Sequence, residues 1–228
     1  MKAGPQTAVL LQKNESRFYE VEGVRLPSVT TVIGATLRAP ELERWRERMA
    51  AKTGSSEAAN EIRDEARDFG TMMHAAAAQI AADEEFVPFV ADETFIDGIV
   101  AFEEWLHDGT EEILAVEQLV VSRTWHYAGT LDLIRRKKGR KTWTLTDHKT
   151  TRDLYPSHRL QTAAYVQAAR ETYPGVRIDD REVVLVSRNP ETPPEERLHT
   201  HTFRDQPRDF AAFASLLTVY RWLKGDHR

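Results

Sequence analysis

The stretch TLTDHKTT, Thr144 to Thr151, sets an acid, an imidazole and an ammonium side by side in what otherwise reads as a β-strand. Strand side chains alternate between two faces. Trp143, Leu145, Asp147 and Lys149 therefore share one face: two apolar residues suit a buried floor, and two charged ones emerge from it. His148 belongs to the opposite face. Charged side chains are mostly exposed in folded proteins, so a solvated strand edge accounts for Asp147 and Lys149 as readily as a site does. The neighbouring stretches decide between the two.

Working outward, ILAVEQLVVS (113–122) and YAGTLDLIRR (127–136) have the period-two pattern of strands and precede KTWTLTDHKTT (141–151). A turn around Gly139 joins the last two. The acid inside TLDLI, Asp132, suits a solvated strand position poorly, where Thr or Lys is commoner. Alternation puts Asp132 on the face of Thr130 and Ile134, and Glu117 in line with Leu119 and Val121. A hairpin would bring Asp132 near Asp147. Three carboxylates beside one lysine are costly without a compensating cation. A hard divalent ion such as Mg²⁺ or Mn²⁺ supplies one.

A helix over 157–172 follows, then a buried strand REVVLVS (181–187), an edge strand LHTHTF (198–203) and a final helix over 207–224. The proline-rich RNPETPPEER (188–197) reads as a loop. Upstream, RFYEVEGVRLPS (17–28) alternates around Glu22-Gly23 as a hairpin, and SVTTVIGAT (28–36) fits either a strand or a short helix capped by Ser28. Helices are predicted over 40–52, 57–82 and 93–107. In the second, Ile62, Ala66, Phe69, Met73, Ala77 and Ile80 mark one buried face. This order implies an α/β fold, a central mixed sheet flanked by helices. A single domain over 1–228 is expected: an N-terminal hairpin and helix (1–56), a core (57–188) and a C-terminal strand and helix (189–228).

The bulk properties narrow the function classes. The chain has 228 residues, 41% hydrophobic and 29% charged, enough for a core without staples. It has no cysteine, which excludes disulfides, thiol nucleophiles, cysteine zinc sites and iron–sulfur clusters. The N-terminal apolar run is too short for a signal peptide, and no stretch approaches the ~20 apolar residues of a membrane helix. A cytoplasmic protein without membrane contact is expected. The net charge of −5 argues against indiscriminate coating of nucleic acid but leaves room for a local basic patch. RRKKGRK (135–141) is the one dense basic run, readable as a solvated turn or as a grip on a phosphate backbone. The histidines of HTH (199–201) have no third ligand placed with them, and His126 reads as a surface residue.

GTLDLI (129–134), TDHKTT (146–151) and QTAAY (161–165), in that order, resemble the motifs of the PD-(D/E)XK nucleases, specifically the RecB-like exonuclease branch. That branch has a G-x-x-D strand, a D-x-K strand, a Q-x-x-x-Y helix just after it, and an upstream helical histidine, for which FGTMMH (69–74) is a match. PSVTTVIGA (27–35) and ELERW (41–45) look like the front end of small phage-type members. The resemblance spans about Pro27 to Tyr165.

It implies a restriction-endonuclease-like core with Mg²⁺ or Mn²⁺, one or two ions. Asp132 and Asp147 would be metal-binding acids, with Glu117 as the acid of the preceding strand and His74 as a further ligand. The main-chain carbonyl of His148, not its ring, would add a ligand. Lys149 would orient or help deprotonate the attacking water and stabilise charge on the phosphate. Gln161 and Tyr165, four apart on one helix face, would touch nucleic acid or order the site. Arg152 and Arg159 are candidate phosphate contacts. The implied activity is hydrolysis of DNA phosphodiesters, as an exonuclease on ends or single strands in recombination, repair or replication. A structure- or sequence-specific endonuclease, an RNA substrate and a catalytically silent DNA-binding or assembly protein are the alternatives. No GxxxxGK[ST] motif is present, so the protein would be a stand-alone nuclease or would borrow a motor from a partner helicase or recombination protein. Oligomeric state is not legible.

Overall fold

A computed structural model describes residues 8–13, 16–37, 44, 47–49, 51–52, 55–84 and 92–225. Most of the helix predicted over 40–52, and part of the acidic linker before residue 93, lie outside the described residues.

Eight strands form two sheets. β1 (Ala8–Lys13), β2 (Ser16–Val21) and β3 (Val24–Pro27) make a small antiparallel sheet. Glu22 and Gly23, at φ 52° and 77°, form the tight turn between β2 and β3. Positive φ at both turn residues matches the twist of the flanking strands. β1 was not anticipated from the sequence. The ambiguity at Ser28 resolves in favour of a helix. Ser28 accepts the backbone N–H of Thr31 at 3.0 Å and caps α1 (Val29–Thr36), a contact typically worth about 1 kcal/mol.

The second sheet is the centre of the molecule, in the order β4 (Thr110–Ser122), β5 (Tyr127–Lys137), β6 (Trp143–Lys149), β7 (Ile178–Val186), β8 (Leu198–Phe203). β6 and β7 are parallel and the other neighbours antiparallel. The parallel pair needs a crossover, supplied by α4 (Pro156–Thr172). Being covered on both faces, the second half of β7, Val183–Val186, reads as a continuous apolar run rather than an alternation.

On one face, α1, α4 and α5 (Gln206–Lys224) close over Val120, Tyr127, Leu131, Ile134 and Leu145. On the other, α2 (Ser56–Ala81) and α3 (Glu93–Gly109) bury Met73, Ala77, Phe95 and Phe102 against Leu133, Val184 and Val186. Each large apolar side chain buried this way contributes about 1.5–3 kcal/mol. The result is the expected α/β architecture, a mixed sheet flanked by helices. Among the described residues, no helix is long and apolar enough to cross a membrane.

One expectation about the strands fails. Strict alternation would put Asp132 with both Thr130 and Ile134. Instead Tyr127, Leu131 and Ile134 all pack under α4 and α5, while Ala128 faces the small sheet and Leu133 faces α2 and α3. The alternation changes phase at Asp132. β4 does the same, since Val120 and Ala115, five apart, share that core. The reason is local: Glu117 sits at φ 43°, a left-handed conformation that rotates the chain beyond it. Such a residue costs of order 1 kcal/mol or more and persists only where its surroundings hold it. The pairing of β4 with β5 stays in register from Ala115↔Ile134 to Ser122↔Tyr127, which leaves Glu117 across from Asp132.

Candidate active site

The site forms where β5 and β6 part. Their last paired residues are Leu133 and Thr146, so Asp132 and Asp147 are the next pair in register, just past the end of the ladder. The backbone N–H of His148 loses its partner on β5 there. The Asp132 carboxylate replaces it, accepting that N–H through Oδ2 at 2.7 Å. Asp132 is thus held by the backbone of the strand that carries Asp147.

Asp147 is fully buried, on the same face as Leu145. Lys149, two residues on, places its Nζ 2.6 Å from Asp147 Oδ2. Gln161, on α4, donates from Nε2 to Asp147 Oδ1 at 3.0 Å and to the Tyr165 hydroxyl at 3.2 Å. Tyr165 lies against β5, and Gly129 makes room for it. A Cβ on Gly129 would stand 2.5 Å from Tyr165 Cε1, which no real contact tolerates. The glycine three before Asp132 and the tyrosine four after Gln161 are therefore two halves of one contact.

His74 arrives from α2, half-buried, with Nδ1 3.5 Å from Asp132 Oδ2. Gly70, one turn earlier, lies against β6: a Cβ there would be 3.1 Å from Thr150 Oγ1. The His148 ring lies edge-on to Phe102, with centroids 4.7 Å apart, and 5.9 Å from the His74 ring. Glu117, across from Asp132, opens toward solvent. The site therefore grades from a buried Asp147 to an exposed rim at Glu117, with Lys149 and His74 between.

The electrostatics register an excess of acid. Burial pushes the Asp147 carboxyl up; Lys149 pulls it down and Asp132 pushes it up, and the net shift is upward. Glu117 is pushed up to about 7, by burial of its carboxyl first and then by Asp132 and Asp147. The residue is exposed at the rim, yet its carboxyl lies near enough to Asp132 and Asp147 to feel their charge. Burial works against the Lys149 ammonium, yet Asp147, Asp132 and Glu117 outweigh it and hold the group above the usual lysine range. Lys149 is thus a charged donor. Burial and the nearby His74 depress His148 to about 3, so its ring is neutral. The oxygen donors of Asp132, Asp147 and Glu117 fit a hard divalent cation. His74 adds a nitrogen. Among the described residues, the one group of three candidate ligands whose donor atoms lie within 4.8 Å of one another is His74, Asp132 and His148.

Residues 91–224 match the family model of the PD-(D/E)XK nuclease superfamily. The chain belongs to this superfamily. Membership implies a nuclease, a hydrolase of phosphodiester bonds. The matched region includes Glu117, Asp132, Asp147, Lys149, Gln161 and Tyr165, while α2 with His74 lies before it. No curated protein matches the chain.

In this nuclease the structure brings together Glu117, Asp132, Asp147, Lys149, Gln161, Tyr165 and His74. Arg152 is exposed in the turn after β6. Arg159 points elsewhere. Its guanidinium pairs with Asp209 of α5 at 3.1 Å, next to Arg181, which also binds Asp209. The basic run after Asp132 is not a free cationic patch. Arg135 is buried and pairs with Glu182 at 2.8 Å, Lys137 also binds Glu182, Arg136 pairs with Glu112 at 2.6 Å, and Arg140 with Asp180 at 3.2 Å. Only Lys138 and Lys141 of its cations stand exposed without a recorded acidic partner among the described residues, and they flank the turn at the far end of β6. Of the other histidines, His199 and His201 lie on the edge strand β8, and His126 in the β4–β5 turn at φ 48°.

Sequence reasoning missed two supports. Tyr19 of the small sheet hydrogen-bonds Thr130 at 3.0 Å, beside Asp132. His158 is buried in the first turn of α4, where its Nδ1 accepts the Tyr155 N–H at 3.3 Å and fixes how that helix starts. Burial, then Lys149, depresses His158 to about 4. Its signal was a histidine three residues into a helix that follows a proline, which resembles many surface sequences.

Proposed function

We propose that the protein is a Mg²⁺- or Mn²⁺-dependent deoxyribonuclease acting as an exonuclease on DNA ends or single strands, in recombination, repair or replication. The observation that carries this reading is the pairing of Lys149 with Asp147, close enough to Asp132 for its charge to act on the same ammonium, with Gln161 hydrogen-bonded to Asp147. A bound divalent cation would activate water and stabilise the charge of the pentavalent phosphorane. Asp132, Asp147 and Glu117, with the His148 carbonyl and His74, would hold it. Lys149 donates to a phosphate oxygen and orients the water; its compact charge suits that task. Gln161 keeps Asp147 turned toward the opening, and Tyr165 keeps Gln161 in place. The pairing of Gln161 with Tyr165 and Asp147 supports the assignment of QTAAY to the Q-x-x-x-Y helix of RecB-like exonucleases, and through it the exonuclease version.

The test incubates purified protein with end-labelled linear DNA and with closed-circular duplex, each with Mg²⁺, Mn²⁺ or EDTA. Metal-dependent release of nucleotides from linear DNA alone is expected. Cleavage of the circle assigns an endonuclease instead, and no metal-dependent cleavage of either substrate overturns the nuclease reading.

A further inference from the structure

Beneath the carboxylates, the His148 ring is nearly fully buried, and neither of its nitrogens has a hydrogen-bond partner. Leaving a buried polar atom unpaired costs about 1–3 kcal/mol. The ring is not simply stranded in an apolar pocket. Its Nδ1 lies 3.8 Å from Asp132 Oδ2, and His74 Nδ1 lies 3.5 Å from that same oxygen. Both separations are longer than the about 2.7–3.2 Å usual for a hydrogen bond. They match the spacing of two ligands on one ion, about 3.4 Å for tetrahedral bonds of about 2.1 Å. The Asp132 carboxylate is already fixed from behind by the His148 N–H at 2.7 Å, the kind of support that orients metal ligands.

We propose that the His148 imidazole is itself a metal ligand, completing a site of two imidazoles and one carboxylate with His74 and Asp132. It rests on the metal-dependent reading above but departs from it in one respect: the ring, not only the backbone carbonyl, of the residue between Asp147 and Lys149 binds metal. Two nitrogens and one oxygen form a softer set than the all-carboxylate arrangement of Glu117, Asp132 and Asp147. This set selects Mn²⁺, and borderline ions such as Zn²⁺ or Co²⁺, over Mg²⁺. Asp132 belongs to both sets and lies between them. The buried ring and Phe102 close the His148 side of this set, while His74 stays half-exposed and Glu117 and Lys149 face the opening.

The deciding measurement is pulsed electron paramagnetic resonance on the whole protein loaded with less than one equivalent of Mn²⁺, without DNA, counting coupled imidazole nitrogens. Two are expected in the wild type and one in His148→Leu. Calorimetric titration should show Mn²⁺ binding weakened at least about tenfold in that variant, with Mg²⁺ moving much less. A wild-type spectrum with one coupled nitrogen, or none, overturns the inference, and it does so even if the leucine variant fails to fold. Metal-dependent DNA cleavage by a wild type with a single coupled nitrogen would leave the proposed function standing and remove only the role of the His148 ring.

Discussion

Thr146 and Asp147 are neighbours on β6 and face opposite sides of the sheet, and each side buries a cluster of charge. Behind Thr146, one acid, Glu182, receives Thr146 Oγ1 at 2.8 Å, Arg135 at 2.8 Å and Lys137, while Arg135 also lies 3.9 Å from the Trp105 ring. In front of Asp147, the three carboxylates of Glu117, Asp132 and Asp147 face a single Lys149. The titration shifts are opposite in sign. Burial alone would push Glu182 up, but Arg135 and Lys137 outweigh it and hold the group below the usual carboxylate range. Asp147 and Glu117 end above theirs. A buried acid with its cations in place is structural. Buried acids short of cations are held together by the fold against their own repulsion, and that shortfall gives a divalent ion its place.

The largest effect expected from this comparison is on the balanced side. Glu182→Ala leaves Arg135 and Lys137 without their acceptor and should cost about 3–5 kcal/mol in urea denaturation. Asp147→Asn should change stability by less than about 1 kcal/mol, because it relieves repulsion while it unpairs Lys149, yet it should lower cleavage by at least about 10²-fold. Equal losses of stability in the two variants would erase the distinction. Next in size is Gly129→Ala, whose methyl drives into Tyr165. About 1–3 kcal/mol is expected, together with a fall in activity as Gln161 loses its stop. A variant with wild-type stability and activity would show that the Gly129–Tyr165 contact does not hold Gln161.

pH dependence sharpens the contrast further. A carboxyl raised in the folded state favours folding below its unfolded pKa of about 4.5 and loses that contribution as pH rises through its folded pKa, about 7 for Glu117. In metal-free protein, Glu117→Gln should therefore raise the melting temperature at pH 8 and leave it unchanged near pH 4. Adding Mn²⁺ should shrink the pH 8 difference. Glu182, lowered in the folded state, contributes above about 4.5 and loses this as pH falls through its depressed folded value. Glu182→Gln should thus cost more at pH 7 than at pH 3. Thermal melts across this range would show the two variants moving in opposite directions, and parallel profiles would contradict the assignment. The smallest effect is expected from Lys138→Ala with Lys141→Ala, at the far end of β6. Stability should stay within about 0.5 kcal/mol, and cleavage should stay near wild type. A marked loss of DNA binding would restore the basic run as a phosphate contact.

The elements were legible because apolar periodicity survives packing. β4 to β8 and α2 to α5 lie within a few residues of their predicted spans, and Asp132, Asp147 and Lys149 stand out as charges in apolar strands. β1 was not legible, because its apolar stretch Ala8–Leu11 is short and lacks the period-two alternation that marks a half-buried strand. The run Arg135 to Lys141 stayed open between a solvated turn and a phosphate grip, because a string of cations looks the same until its acids are known. Those acids, Glu112, Asp180 and Glu182, come from β4 and β7.

By itself, the sequence determined the order of strands and helices and the chemistry available along them: carboxylates at 117, 132 and 147, an ammonium at 149, an amide at 161. These depend on residue type and spacing, which are local. Only the tertiary structure decided which groups meet. The phase change at Glu117 and Asp132 is a local turn of the backbone that only its surroundings hold in place. The parting of β5 from β6 that turns Asp132 onto the His148 N–H and the approach of α2 that brings His74 beside a buried His148 ring arise from packing between distant segments. Alternation along one strand cannot reveal them, because it assumes the regular backbone that this site departs from.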